Sequence, residues 1–214
     1  MDGERIILAS ASPRRRELLA QIYPAFDVEV CALEEPVPHS EEISPPAWAE
    51  ALAYYKARCV AERRPNRWVL GADTIVVCDR RILGKPRDLD DARAMLELQA
   101  RHVSEVMTGI CLVRRGADDR RVTQVDVTRV WMRDDAAQRE AYLRSGDWAE
   151  KAGAYGIQTV GDRLVARLEG SFSNVVGLPL ERLARLLAHV GLAARPPSDT
   201  PPMGVAAGGG SPYG

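Results

Sequence analysis

The stretch WVLGADTIVVCDRRILGKPRD, Trp68 to Asp88, decides how the rest of the chain is read. Trp68 to Cys78 is a strongly apolar strand. Asp79-Arg80-Arg81 is a short polar turn, and Ile82-Leu83 begins a return strand. Asp73 interrupts the apolar run, and a carboxylate there is costly unless paired, hydrogen-bonded or metal-bound. With a turn near Arg80, Lys85 is expected to come back across from Ile75, close to Asp73. A structural ion pair, or an edge strand with Asp73 in solvent, is the competing reading.

Outward from this stretch, strands and helices alternate. Arg5 to Ala9 reads as a buried strand, Pro13 to Ile22 as a helix and Phe26 to Ala32 as a strand. Glu34 to Pro46 is a polar, proline-punctuated loop. Ala47 to Arg63 is a helix whose stripe is Trp48, Ala51, Leu52, Tyr55 and Cys59. Downstream, Asp88 to Leu98 is a helix with an acidic first turn. Ser104 to Val113 and Arg121 to Met132 pair as strands. Asp135 to Arg144 is a helix, Gly146 to Gly161 a glycine-rich loop, Leu164 to Leu168 a strand and Leu180 to Val190 a last amphipathic helix. The class is therefore α/β. One domain is expected over residues 1–193. The Pro, Gly and Ser of 194–214 predict a disordered tail.

Composition excludes several functions. The chain has 214 residues, 46% apolar and 28% charged, with a net charge of −1. That balance offers no general attraction to nucleic acid or to an anionic membrane. No apolar run approaches the roughly 20 residues of a membrane span. The acidic Met1-Asp2-Gly3-Glu4 lacks the order of a signal peptide, so a cytoplasmic location is expected. Cys31, Cys59, Cys78 and Cys111 are widely spaced in apolar contexts and are expected to be reduced core thiols. Of 29 basic residues only Lys56, Lys85 and Lys151 are lysine. A chain this rich in arginine keeps lysine where a compact ammonium does what a guanidinium cannot.

Three further stretches carry chemistry. In ASASPRRRELL, Ser12 can cap a helix and Pro13 suits its first position. Arg14, Arg15 and Arg16 then oppose the helix dipole at about 0.3–1 kcal/mol each. An anion held by the free N–H groups and at least one arginine resolves that conflict. The alternative is three solvated arginines. In EKAGAYGIQ, residues 150 to 158, Lys151 precedes small residues that admit a close ligand. GSFSNVVGLPLERL, from Gly170, reads as a polar turn leading to a helix. Glu34 and Glu35 add loop carboxylates, and Lys56 lies on the helix from Ala47, where a snorkelling surface lysine is the bland reading. Carboxylates with lysines and arginine suit a polyphosphate held with a divalent cation. The glycine spacing is not that of a P-loop, and no zinc-spaced histidine pair or Ser-His-Asp set is evident.

Taken in order, LASASPRRRELL, GADTIVV, LGKPRD, SGDWAEKAGAYGIQ and GSFSNVVGLPL resemble the signature blocks of the Maf family of nucleoside triphosphate pyrophosphatases. The resemblance runs over about residues 5 to 190. It implies a mixed α/β sheet in two lobes around a nucleotide-binding cleft, similar to inosine triphosphate pyrophosphatases. It implies hydrolysis between the α- and β-phosphates with a divalent metal, Mg2+ or Mn2+, in a homodimer. Residue by residue, Asp73 matches the family's proton acceptor. Ser10, Arg14, Glu35, Lys56 and Lys85 match positions lining the phosphate and metal site, with Glu35 and Asp73 as the metal carboxylates.

Arg14, Thr74 and Gln158 match the base-selecting positions of the branch that acts on dTTP and UTP. The 7-methyl-GTP branch tends to carry Trp, Gln and Glu there. The implied role is to limit incorporation of unwanted nucleotides and to affect cell division. The alternatives are a nucleotide-binding regulatory protein with little hydrolysis, and a pyrophosphatase for modified nucleotides such as 7-methyl-GTP. The sequence departs from the family at LQARHVSEVMTG, where Ser104 stands at a usual histidine. It departs again at Asp147-Trp148, where Glu-Pro is common, and at Thr159, where glycine is usual.

Overall fold

A computed structural model of the chain describes residues 4–31, 43–157 and 163–197. The elements run β1 (Ile6–Leu8), α1 (Pro13–Ile22), β2 (Phe26–Val28), α2 (Pro45–Ala61), β3 (Trp68–Cys78), β4 (Arg81–Leu83) and α3 (Leu89–Arg101). They continue with β5 (Ser104–Arg114), β6 (Arg120–Met132), α4 (Ala136–Ser145), a single 3-10 turn at Ala152–Ala154, β7 (Val165–Glu169), α5 (Phe172–Val176) and α6 (Leu180–His189).

Among the described residues the strands form one mixed sheet in the order β2-β1-β3-β5-β6-β7, with β4 also on β3. β1 is parallel to both β2 and β3, whereas β5, β6 and β7 continue antiparallel. The chain leaves β1 through α1 toward β2 and returns through α2 to β3 on the other side. The C-terminal end of β1 is therefore a topological switch point, where α/β sheets open a crevice. β3 widens that crevice. Its one edge pairs with β1 at Val69 and Leu70 and with β4 from Val76 to Cys78. Between them, the edge from Gly71 to Ile75 has no ladder partner among the described residues.

Two clusters pack on the same face of the sheet, one on either side of this gap. One joins Ile6, Leu8, Trp68 and Leu70 to Leu19 and Ile22 of α1 and Leu183 and Leu187 of α6. The other joins Val76, Cys78, Leu83, Val106 and Val130 to Leu96 of α3 and Tyr142 and Leu143 of α4. These are the two lobes the resemblance implies. On the opposite face α2 lies almost against the backbone. A Cβ on Gly71 would sit 2.1 Å from the Ala53 carbonyl oxygen, and one on Gly109 would sit 2.2 Å from that of Ala49. Ala49, Ala53 and Ala57 recur every four residues, so one helix stripe of small residues meets the two glycines.

Most boundaries fall within a residue or two of the pattern. α2 begins at Pro45, ahead of Ala47, because proline is tolerated in a first helical turn. α5 lies where a turn is expected. One expectation about the cysteines is corrected: Cys31 and Cys59 form a disulfide, with Cα atoms 5.7 Å apart, while Cys78 and Cys111 are buried and free. Cys31 follows β2 and Cys59 lies in the last turns of α2, neighbours in space that their sequence separation of 28 conceals. Ala194 packs on the first cluster, and Arg195 donates its N–H to the Ile22 carbonyl at 2.8 Å. Most of the expected tail, 198–214, lies outside the described residues. Among the described residues no helix is long and apolar enough to cross a membrane.

Candidate active site

The gap in the β3 edge opens into a cavity of about 1000 Å³. The loop from Ala9 and the start of α1 form one wall, β4 and the Glu150–Tyr155 segment the other, and Asp73 and Thr74 the floor. Because strand side chains alternate, these two consecutive residues leave β3 on opposite faces. Each therefore takes its partner from a different helix.

Asp73 faces α2. Its carboxylate accepts a hydrogen bond from Lys56 Nζ, and the two side chains are only 15% and 11% exposed for Lys56 and Asp73 respectively. The close seat of α2 on Gly71 and Gly109 brings Lys56 this far in. Asp73 thus has the paired environment that its place in an apolar strand requires. The partner is Lys56, not Lys85. The β4 register sets Val76 opposite Leu83, which would carry Lys85 level with Thr74 rather than Ile75, and β4 ends before it. Lys85 lines the cavity but turns to Glu150 Oε2 at 2.6 Å, in a pair exposed to solvent. Lys85 holds the Glu150 carboxyl below its ordinary range.

Thr74 faces α1. Ser12 caps this helix, its Oγ accepting from Arg15 N–H, and no acidic residue occupies the first turn. Of the three arginines, Arg15 is the one locked into the floor. Its Nε donates to the Gly177 carbonyl at 2.8 Å, its Nη2 to Thr74 Oγ1 at 3.0 Å and its Nη1 to Ser10 Oγ at 3.4 Å. Sequence reasoning missed Arg15 because adjacent arginines look alike until their helix is docked. Arg14 lines the cavity one step around the helix, and Arg16 is exposed. Ser10 is buried, and its Oγ also accepts from Ser12 N–H at 3.2 Å.

Lys151 joins Arg14 at the wall. Its Nζ donates to the Asp147 carbonyl, and burial followed by the Arg14 charge pushes its pKa below the usual lysine value. Two cations crowded at a helix N-terminus make a site that an anion would relieve. The segment is held by Gly153, at φ 68°, whose N–H donates to the Gly84 carbonyl at 3.0 Å. Gly153's own carbonyl accepts from Gln99 Nε2 at 2.7 Å. Gln99 in turn accepts from Ser104 Oγ at 3.2 Å. Ser104, at the usual histidine position, and Gln99 of the same LQARHVSEVMTG stretch therefore form one buried pair that supports the cavity wall. At a second departure, Trp148 Nε1 donates to the Leu143 carbonyl at 3.0 Å.

Glu34, Glu35, Gln158 and Thr159 lie outside the described residues. Among the described residues no group of three His, Cys, Asp or Glu could close around a metal. Asp73 on the floor and Glu150 at the rim are hard oxygen donors. Such donors suit Mg2+ or Mn2+, which take one or two carboxylates and complete their shells with substrate phosphates and water. The donor set fits a cation that arrives with a polyphosphate.

Residues 5–190 match the family described as Maf-like protein. The dTTP/UTP pyrophosphatase of Myxococcus xanthus is 45% identical over 192 residues, covering 89% of this chain and 95% of that protein. That of Koribacter versatilis is 41% identical over 191 residues, covering 89% and 96%. Among solved structures, a dITP/XTP pyrophosphatase from Mycobacterium abscessus aligns over 87% of this chain and 94% of that one, at 14% identity and a TM-score of 0.45.

Proposed function

The chain belongs to the Maf family, and from that premise we propose that it hydrolyses dTTP and UTP to the nucleoside monophosphate and pyrophosphate. The observation that carries the reading is the pairing of Asp73 with Lys56 on the floor of a cavity whose wall crowds Arg14 with Lys151. Cations at the helix start receive the phosphates, and a carboxylate beside them handles a proton.

In this reading the triphosphate lies along the start of α1, with Arg14, Lys151 and Lys85 against its oxygens. Lys85 exchanges Glu150 for a phosphate. Asp73 and Glu35 would hold the divalent cation, which when bound withdraws charge from the phosphate oxygens. A phosphate that draws Lys56 toward itself frees an Asp73 oxygen to accept a proton from water. The water oxygen bonds to the α-phosphorus, the bond from that phosphorus to the α–β bridging oxygen breaks, and its electron pair leaves with pyrophosphate. Thr74 and Gln158 read the base. A glutamine amide can donate to the O4 of uracil or thymine. A homodimer and a cytoplasmic location belong to the same proposal.

Pyrophosphate release from a panel of nucleoside triphosphates, with Mg2+ or Mn2+, tests the reading. Release fastest from dTTP and UTP is the expected result. Binding without release would favour a regulatory protein, and fastest release from 7-methyl-GTP would favour the other branch.

A further inference from the structure

Thr74 Oγ1 lies 2.9 Å from Thr108 Oγ1, and the proton between them has a determinable direction. Thr108, on β5, is fully buried, and its hydroxyl donates to the Asn174 carbonyl at 3.0 Å. A hydroxyl has one proton. With that of Thr108 committed to Asn174, the proton on the Thr74–Thr108 contact must come from Thr74. The reverse arrangement would face two acceptor oxygens at 3.0 Å with no hydrogen between them. Arg15 Nη2 already donates to Thr74 Oγ1, which leaves that oxygen one further lone pair.

The receiving end is rigid. Asn174 is fully buried in α5, and its Nδ2 donates to the Val106 carbonyl at 3.0 Å and to Thr128 Oγ1 at 2.9 Å. Thr128, also fully buried, donates onward to the Ser171 carbonyl at 3.1 Å. None of these side chains can turn without losing a buried hydrogen bond.

We propose that Thr108 is a positioning residue for base selection: it holds the Thr74 proton away from the cavity, so that Thr74 can only accept a hydrogen bond from a ligand. This rests on the reading of the cavity as a pyrimidine nucleotide site and adds the origin of its selectivity. Uracil and thymine present N3–H, a donor, which an acceptor-only Thr74 can meet. Cytosine presents a bare N3, an acceptor, which it repels. A glutamine amide has a donor and an acceptor and can suit either base, so a fixed acceptor is the element that discriminates.

The test compares kcat/KM for UTP and CTP in the wild type, Thr108→Val, Thr108→Ser and Thr74→Val. Thr108→Val leaves the Thr74 proton free to turn toward cytosine N3, and the UTP/CTP ratio should fall by about tenfold, mainly through a gain on CTP. Thr108→Ser restores the acceptor and should keep the wild-type ratio. Thr74→Val removes the group itself and should lose the ratio, which provides the readout should Thr108→Val fold poorly. An equal loss on both substrates in Thr108→Val, or an unchanged ratio in Thr74→Val, overturns the proposal and leaves the pyrophosphatase reading intact. A wild type that cleaves neither substrate overturns both.

Discussion

Asp73 and Thr74 are consecutive on β3, yet Asp73 is held by Lys56 of α2 and Thr74 by Arg15 of α1. The strand's alternation thus sends two polar side chains one residue apart to partners on different helices, and the β3 edge, without a ladder partner there among the described residues, leaves both lining one cavity. Replacing the acid should separate chemistry from binding. Asp73→Asn keeps the shape and a Lys56 acceptor but weakens the base, so kcat should fall by roughly 100-fold or more while nucleotide affinity changes little. Steady-state pyrophosphate release with calorimetric titration of UMP checks this; near-normal turnover would remove Asp73 from the reaction.

The arginine run should divide into three different phenotypes. Arg15→Ala deletes donors to Ser10, Thr74 and the Gly177 carbonyl, and should cost about 2–3 kcal/mol of stability as well as activity. Arg14→Ala should raise KM while leaving the unfolding midpoint nearly unchanged. Arg16→Ala should do neither, since exposed substitutions usually stay within about 0.5 kcal/mol. Urea melts of the three variants beside their KM values would reveal the pattern, and equal small effects would return the run to a solvated surface.

The long strands β3, β5 and β6 and helices α1 and α4 were legible because each carries a long periodic run or a capping residue at its start. Other features depend on contacts between distant segments. Lys56 rather than Lys85 reaches Asp73 because Gly71 and Gly109 admit the alanine stripe of α2, a fit between residues far apart in sequence. The helix α5 hides in GSFSNVV because Ser171 caps it and Asn174 turns inward, so its polar residues read as a turn. Of the candidate site, the identities of Ser10, Arg14, Thr74 and Lys85 as cavity-lining residues were readable through the family blocks, and Lys56 through its match to a family position outside them, whereas Arg15 needed the docked helix.

That glycine contact is itself testable. Gly71→Ala would drive a methyl to 2.1 Å from the Ala53 carbonyl oxygen, so α2 must move. Overpacking of this kind costs about 1–3 kcal/mol, and the shift should also pull Lys56 from Asp73. Gly84→Ala, where an added Cβ meets nothing within 4 Å, is the control. Thermal melts and kcat should both drop in the first variant and hold in the second.

The disulfide between Cys31 and Cys59 ties the end of β2 to α2. Closing a loop of 28 residues restricts the unfolded chain by about 3–4 kcal/mol in the chain-entropy account. Dithiothreitol should therefore lower the denaturant midpoint of the oxidised protein, and the Cys31→Ser/Cys59→Ser variant should melt at the lower midpoint with no response to the reductant. Cys78 and Cys111 are free and buried, so they should contribute nothing to that response. An unchanged midpoint on full reduction, verified by thiol titration, would contradict the stabilising role.

Lys151 supplies a pH signature. Burial and Arg14 lower its folded pKa, so below that value the unliganded protein carries the full cost of a crowded ammonium. As pH rises from the lowered pKa toward the ordinary value of 10.5, the folded state sheds its proton first and stability should increase. Anion binding should run the other way, because the neutral amine no longer attracts phosphate. Pyrophosphate affinity should therefore weaken across the same window. Lys151→Gln should lose both effects, and comparing it with the wild type at each pH cancels the titration of pyrophosphate itself. If the two proteins show the same pH dependence of affinity, Lys151 does not face the phosphates, and its lowered pKa reflects only burial and the neighbouring Arg14 charge.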